Sequence, residues 1–160
     1  MATGQLIHDE LITDFAALQY VGGATIFNNV KKFYAADSMK SSDCLILPAS
    51  NTEEIAGNTS THKVYSFDAL AIEVINDTDS DAEGALKYSR LLNIQDSILD
   101  YIQLEPSNLN AWGQLQSPVL NVYKIRLSQV AFDEQLTQGG FAAVMRVRFS
   151  IFINITPQNI

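Results

Sequence analysis

The sequence is short of the residues from which small proteins usually build disulfides and metal sites. Its 160 residues include one cysteine, Cys44, and two histidines, His8 and His62. One cysteine excludes a disulfide within the chain, and two histidines so far apart exclude a site made of several histidines. Cys44 opens an apolar run that continues to Leu47, so we expect a buried, reduced thiol in a protein folded in a reducing cytoplasm.

Charge is scarce as well. Asp, Glu, Lys and Arg make up 18% of the chain, against about 25% in an average soluble domain. Ser, Thr, Asn and Gln fill the difference, and such a surface suits a self-associating subunit and a monomer equally well. The formal net charge of −8 argues against a nucleic-acid reader, because phosphate binding requires lysine and arginine. It is compatible with an acidic ring that DNA passes without sticking.

Long apolar runs are missing. None approaches the roughly 18 uncharged residues that a membrane span requires, and the first apolar stretch is interrupted by His8, Asp9, Glu10 and Asp14. We therefore expect no signal peptide and no membrane partner. No linker or repeat divides the chain, which predicts one domain over residues 1–160.

Motifs for catalysis are also missing. The sequence has no Gly-x-Ser-x-Gly elbow, phosphate-binding glycine loop or dinucleotide fingerprint, and neither histidine has an obvious orienting partner nearby. We expect no enzyme, no cofactor and no metal.

One acidic stretch resembles the opening of a calcium loop. Asp77, Asp79 and Asp81 alternate, but Ala82 stands where such a loop needs glycine and Tyr88 where it needs glutamate. A solvated turn before a helix is the better interpretation. A calcium-dependent binding module is kept as an alternative.

The pattern that is present lies at the C-terminal end. Leu120–Val130 and Ala142–Ile153 alternate with a period of two, and Asp133, Glu134, Gly139 and Gly140 are expected in the loop that joins them. This predicts a long, half-buried antiparallel hairpin. The apolar face is made of Tyr123, Ile125, Leu127, Met145, Val147, Phe149, Ile151 and Ile153.

The other face of the hairpin is predicted to be basic. It carries Lys124, Arg126, Arg146 and Arg148, four of only ten cationic residues. The stripe is either a solvated face or a docking surface for an acidic neighbour, such as the 77–83 loop or the Asp133-Glu134 pair of an adjacent copy. Glu73 could instead neutralise part of it across the sheet. The candidate interface residues are therefore Lys124, Arg126, Arg146, Arg148, Asp77, Asp79, Asp81, Asp133 and Glu134.

The first half of the chain predicts one helix and one short strand. Residues 4–20 have helical apolar spacing, and Gly22 and Gly23 are expected to end that helix. Residues 24–36 fit either a helical stripe or a short strand. Leu45–Ala49 is a short strand that Pro48 places at a sheet edge.

A second strand and a second helix follow the polar loop from Ser50 to about His62. The apolar phase of Val64–Ile75 changes along its length, which indicates either a bulge near Ala69 or a strand covered on both faces. A capping box at 80–83 opens a helix through about Gln103. Its buried line is Leu91, Ile94, Ile98 and Ile102, and the loop at 106–118 holds Trp112.

The order of elements predicts an α+β domain. It has an antiparallel four-stranded sheet, a long C-terminal hairpin and two main helices packed on one face.

Three stretches of this pattern also carry a resemblance to a family. They are the N-terminal helix that leads to Leu45-Ile46-Leu47-Pro48, the long strand Val64–Ile75 that exits through acidic residues into a helix, and the closing hairpin Val122–Phe132 with Gly140–Ile153. In this order the chain resembles bacteriophage tail terminator (tail completion) proteins and, more broadly, head–tail connector subunits. It departs from them in a longer 24–42 segment and in the extra 104–118 loop.

The resemblance implies a structural virion protein, assembled in the host cytoplasm and located at the tail–neck junction. Six copies would form a ring that caps the tail tube, stops its growth and joins it to the neck. The implied partners are further copies of the chain, the tail tube protein, a neck or connector protein, and viral DNA that passes through the lumen without specific binding. No site residue carries over. The alternatives are another tail or neck component, such as a tube subunit, and a small non-enzymatic binding domain.

Overall fold

The computed structural model describes residues 3–20, 23–32, 40–49, 62–103, 122–137 and 139–154. These ranges hold two helices and five strands, which follow one another along the chain as α1 (Thr3–Ala16), β1 (Asn29–Lys31), β2 (Asp43–Pro48), β3 (His62–Asn76), α2 (Asp81–Gln103), β4 (Val122–Thr137) and β5 (Gly140–Asn154). Gly22, Leu120, most of the polar loop from Ser50, and the 106–118 loop with Trp112 lie outside the described ranges. Neither helix has the length and apolarity needed to cross a membrane.

The strands form one sheet in the order β1-β2-β3-β5-β4. All neighbours are antiparallel except β1, which pairs parallel with β2. The predicted α+β class is confirmed, but the sheet is mixed and has five strands instead of four antiparallel ones. The additional strand is β1, at Asn29–Lys31, which lies in the segment whose pattern fitted either helix or strand. Ile26 and Phe27 are buried just before it.

The first helix is shorter than its apolar spacing predicts. It ends at Ala16, because Gln19 forms a bridge with Thr25 and the Tyr20 amide donates to the Ala24 carbonyl. Leu18 still packs against the core, but from this tight turn and not from a helix. Gly23 has a φ of 98°, so its part is to make the turn and not to end the helix.

Among the described residues, Pro48 lies in the part of β2 that has a strand on one side only. β2 lies between β1 and β3, so the prediction of an edge strand is wrong for its first half, where Asp43–Leu45 pair with β1. Pro48 lies three residues beyond that pairing, and no strand in the described ranges pairs with this side of it. The missing N–H of proline is therefore tolerated there.

The change of phase in β3 does not come from a bulge. Its register with β5 runs without a shift from His62 to Asn76. Instead, the sheet is apolar on both faces. Phe67, Ala69 and Ala71 face the helices, whereas Ile72 packs with Leu45 and Ala142 on the other face. Glu73 occupies the next helix-facing position, and this is why the apolar alternation breaks.

The second helix agrees with its prediction. It spans Asp81–Gln103, and the Ser80 hydroxyl accepts a hydrogen bond from the Glu83 amide at 3.2 Å. The predicted buried line is confirmed, because Leu91, Ile94, Ile98 and Ile102 are all at most 1% exposed.

Both helices pack on one face of the sheet, against the predicted apolar face of the hairpin. Met145, Val147, Phe149, Ile151 and Ile153 of β5 are fully buried there. From α1 this core receives Ile7, Leu11 and Phe15, and the Phe15 ring stacks on that of Phe149 with centroids 6.2 Å apart. Cys44 is buried and free as expected, and burial raises the pKa of its thiol.

The hairpin turn is tighter than predicted. β4 continues to Thr137 and β5 begins at Gly140, so Asp133 and Glu134 lie in a strand and not in the connecting loop. Gly139 adopts a φ of 85°. A Cβ on Gly140 would lie 2.0 Å from the Ile75 carbonyl oxygen, so only glycine fits where the hairpin end meets β3.

Candidate assembly interface

Four large apolar side chains are exposed where α2 lies beside β4. On the strand, Phe132 is 50% and Leu136 is 89% exposed, and on the helix Tyr88 is 39% and Leu92 is 54% exposed. The Tyr88 hydroxyl donates to Glu134 Oε1 at 3.3 Å, which brings this side of α2 next to the strand residues that flank Glu134. We call Tyr88, Leu92, Phe132 and Leu136 the apolar patch. Clusters of this kind on an otherwise polar surface mark interaction sites.

Tyr88 is held as a donor in this arrangement. Partial burial and the charge of Glu134 both raise the pKa of the phenol. The phenol is protonated at neutral pH and can donate the hydrogen bond that joins helix to strand.

The patch lies on the edge of the sheet. β4 pairs with β5 on one side, and among the described residues no strand pairs with its other side. β4 has 16 residues, whereas β1 at the opposite edge has three. A long edge strand presents a row of unpaired backbone groups and is a template for pairing with another chain.

β4 contains two irregularities that the alternating pattern did not reveal. Its register against β5 shifts between Val122 and Lys124 and again between Leu127 and Gln129. Because of the second shift, Leu127 faces the helices before the bulge, and Val130 and Phe132 face them after it. The sequence contained a signal for this bulge, because the apolar residues Leu127 and Val130 are three positions apart where a regular strand would space them by two.

One residue of the predicted basic stripe, Arg148, is paired with an acid of the same subunit. Arg148 makes a two-pronged ion pair with Asp68, with distances of 2.8 Å from Nε and 2.9 Å from Nη2 to the two carboxylate oxygens. The bond raises the pKa of Arg148. The residue is therefore neutralised inside the subunit by the acid directly opposite on β3.

The other members of the stripe share the face of Arg148. Arg146 is opposite Leu70 and Ala131, and its buried Nε has no hydrogen-bond partner. The register places Arg126 on this face as well, opposite Ser150, and Lys124 opposite Phe152. The prediction of one basic face is confirmed for the backbone positions, but Arg148 is not available for docking.

Glu73 does not neutralise the stripe, because it lies on the opposite face. Its side chain is fully buried under α2, where Arg90 Nη1 donates to Oε1 at 3.0 Å. The other oxygen, Oε2, and the nearby Tyr20 hydroxyl are buried without hydrogen-bond partners. Burial raises the pKa of Tyr20. Sequence analysis missed this cluster, although a lone acid inside an apolar strand was the available signal.

A cavity of about 420 Å³ lies beside that cluster and is lined by Tyr20, Asn93, Asp96, Ser97 and Asp100. Its walls offer hydroxyl, amide and carboxylate groups. In the described part of the chain, no three His, Cys, Asp or Glu side chains are grouped as metal ligands.

The acidic stretch before α2 serves the turn and the helix. Lys87 Nζ donates to Asp79 Oδ2 at 2.7 Å, and the same oxygen accepts from the Asn76 amide. The Lys87 bond lowers the pKa of Asp79. Asp77 and Asp81 are exposed, and in the described part of the chain these acids are not grouped as metal ligands.

His8 has a structural contact. Its Nε2 lies 2.6 Å from the Ile46 carbonyl oxygen, and its ring packs on Phe67 with centroids 5.3 Å apart. This hydrogen bond ties α1 to β2. The His62 side chain lies outside what the structure describes.

Comparison with known proteins gives no family. No family model matches the sequence, and no curated protein matches it. The geometry of the described residues is therefore the basis for a function.

Proposed function

We propose that this chain is a structural subunit of a bacteriophage virion. Copies of it, six by the family pattern, form a ring that caps the tail tube and joins it to the neck. The ring stops tube growth and lets viral DNA through its lumen. The chain performs this work as a non-enzymatic protein, at the tail–neck junction.

The observation that carries the proposal is the apolar patch on the outer edge of β4. Leu136 is 89% exposed and Phe132 is 50% exposed, beside a 16-residue strand edge. Exposure to water is unfavourable for the apolar side chains, and the backbone groups of such an edge can pair with another strand, so covering it with another subunit stabilises an assembly. A neighbour in a ring supplies that cover.

The fold supports the same function. An N-terminal helix, a short strand with Pro48, a long strand followed by an acidic turn and α2, and a terminal hairpin occur in the expected order. The acidic net charge of −8 keeps a lumen from binding the DNA backbone.

Electron microscopy and mass spectrometry of purified virions test the proposal. We expect the chain in the particles, as a single ring at one end of the tube. Its absence from particles would reject the function.

A pair of variants tests the patch in the same system. Phe132→Ser should prevent incorporation when supplied in place of the native protein, because it removes half-exposed apolar area from the interface. Leu86→Ser is the matched control. Leu86 is 60% exposed but is two residues from Tyr88 on α2, and hence points to the other side of the helix.

A second candidate is another tail or neck component, such as a tube subunit. The same exposed edge favours it, because stacked rings also bury apolar surface. Micrographs that show successive rings of the chain along the tail, instead of one, would favour this candidate.

A further inference from the structure

The two halves of β4 on either side of its central bulge complement each other. Before the bulge, Leu127 faces the helices and Arg126 faces away. After it, Phe132 faces the helices and Asp133 faces away. Because the bulge reverses the alternation, an antiparallel copy centred on Val130, with Ser128 of each strand left unpaired at the bulge, brings like faces together. Apolar residues then meet apolar residues, and a cation meets an acid.

Strand length identifies the partner. Of the two edge strands in the described sheet, β1 has three residues and β4 has 16. Pairing of β4 with β1 of another copy would leave most of the β4 edge open. Pairing of β4 with a second β4 covers it along nearly its whole length, and a self-complementary surface of this kind is what a twofold dimer uses.

We propose that two copies of the free protein pair along their β4 edges in antiparallel orientation. The twofold axis passes beside Val130, which lies opposite the partner's Val130. Arg126 lies opposite the partner's Asp133, and Leu127 lies opposite the partner's Phe132. The two five-stranded sheets become one continuous sheet.

This dimer is distinct from the ring. A ring that joins a tube on one side to a neck on the other is polar, so its contacts run head to tail and cannot contain this twofold axis. The dimer would therefore open before a ring closes, and until then it would keep the edge covered. The pairing depends on β4 alone and stands even if the protein has no place in a virion.

Sedimentation of the full-length protein over a range of concentrations tests the pairing by charge exchange. Asp133→Arg and Arg126→Asp should each raise the dimer dissociation constant by about tenfold or more, since each places like charges opposite one another. The double variant should return it to within about threefold of the native value. Asp96→Arg, an exposed position on α2, is the control and should leave it unchanged. A double variant no tighter than either single variant would overturn the register.

Cross-linking tests the axis without altering charge. Val130→Cys should form a disulfide-linked dimer on mild oxidation, because the two copies of residue 130 lie directly opposite each other at the axis. Leu136→Cys is the matched control on the same strand, and its two copies would be roughly 40 Å apart. Native Cys44 is fully buried and does not interfere.

The outcomes are distinguishable from those of the proposed function. A monomer at all concentrations overturns the dimer and leaves the ring on the tube untouched. A sixfold mass in solution with no Val130→Cys cross-link also overturns the dimer but supports the ring. A Val130→Cys dimer from a chain that is absent from virions supports the pairing and rejects the virion function.

Discussion

At the scale of single residues, the least expected feature is a carboxylic acid buried between the helices. Asp14 of α1 is 7% exposed and accepts a hydrogen bond from the Tyr101 hydroxyl of α2 at 2.7 Å. Burial raises the pKa of Asp14 to about 6, and the charge of Glu10 acts in the same direction, against the effect of the hydrogen bond. The pKa of Tyr101 is also well above its usual value because of burial.

This pair predicts a pH-dependent stability. Because the folded state holds the Asp14 proton more tightly than the unfolded state, with its ordinary pKa of 3.8, the stabilisation is full below pH 3.8. It is lost as the pH rises through about 6. Asp14→Asn, which keeps an acceptor for Tyr101, should match the native protein near pH 4 and exceed its unfolding free energy by roughly 1–3 kcal/mol at pH 7.5.

Urea unfolding at the two pH values measures this difference. Asp96→Asn, which changes an exposed acid on α2, is the control for the same measurement. An equal effect of Asp14→Asn at both pH values would contradict the prediction.

The second residue-scale prediction concerns the hairpin end. Gly140→Ala should lower the unfolding free energy by about 2–3 kcal/mol, because the new methyl group would collide with the Ile75 carbonyl oxygen. Gly84→Ala is the matched control, since nothing lies within 4 Å of its Cβ position. As a helix substitution it should raise the unfolding free energy by about 0.5–1 kcal/mol. Denaturant titration of the native protein and the two variants measures whether each unfolding free energy falls or rises.

At the scale of elements, α2 begins where a side chain satisfies its first free amides. Ser80→Ala removes the oxygen that accepts the Glu83 N–H and should cost about 1 kcal/mol of unfolding free energy. Ser89→Ala, an exposed position inside the same helix, should be neutral or slightly stabilising. Equal effects of the two substitutions on the thermal midpoint would show that the cap contributes nothing.

Elements with a strong local signal were predicted well. The capping box and the three- and four-residue spacing located α2, and alternation located β5, because both patterns depend only on neighbours in the chain. Elements that form only by pairing with a distant segment of the chain were predicted less well. β1 has three residues and exists through pairing with β2, and α1 stops early because its next residues pair with Thr25.

At the scale of the whole molecule, the sheet separates two kinds of surface. One face receives both helices and holds the large core, while the other carries a smaller apolar cluster around Leu45, Ile72 and Ala142. The Arg148–Asp68 pair lies on that second face. Arg148, which was predicted to belong to a basic docking surface, is therefore already neutralised within the subunit. Four of the five large hydrophobic side chains that are exposed in the described part of the chain belong to the apolar patch at the edge of β4.

That edge links the two proposals. The patch of Tyr88, Leu92, Phe132 and Leu136 carries the assembly function, and the complementarity about the bulge carries the free dimer. Because both interfaces use one edge, they exclude each other. We therefore expect the Asp133→Arg variant, with a weakened dimer, to expose the edge at protein concentrations at which the native chain is still paired.

The amino-acid sequence by itself determined the fold class, the two-residue period of the hairpin, the extent of α2 and the burial of Cys44. Each follows from a local rule of periodicity, capping or hydrophobicity. Tertiary structure alone decided that Asp68 and not Glu73 neutralises Arg148, that Asp14 meets Tyr101, and that β4 lies at an edge. These depend on which distant segments come together, and packing of the whole chain fixes that.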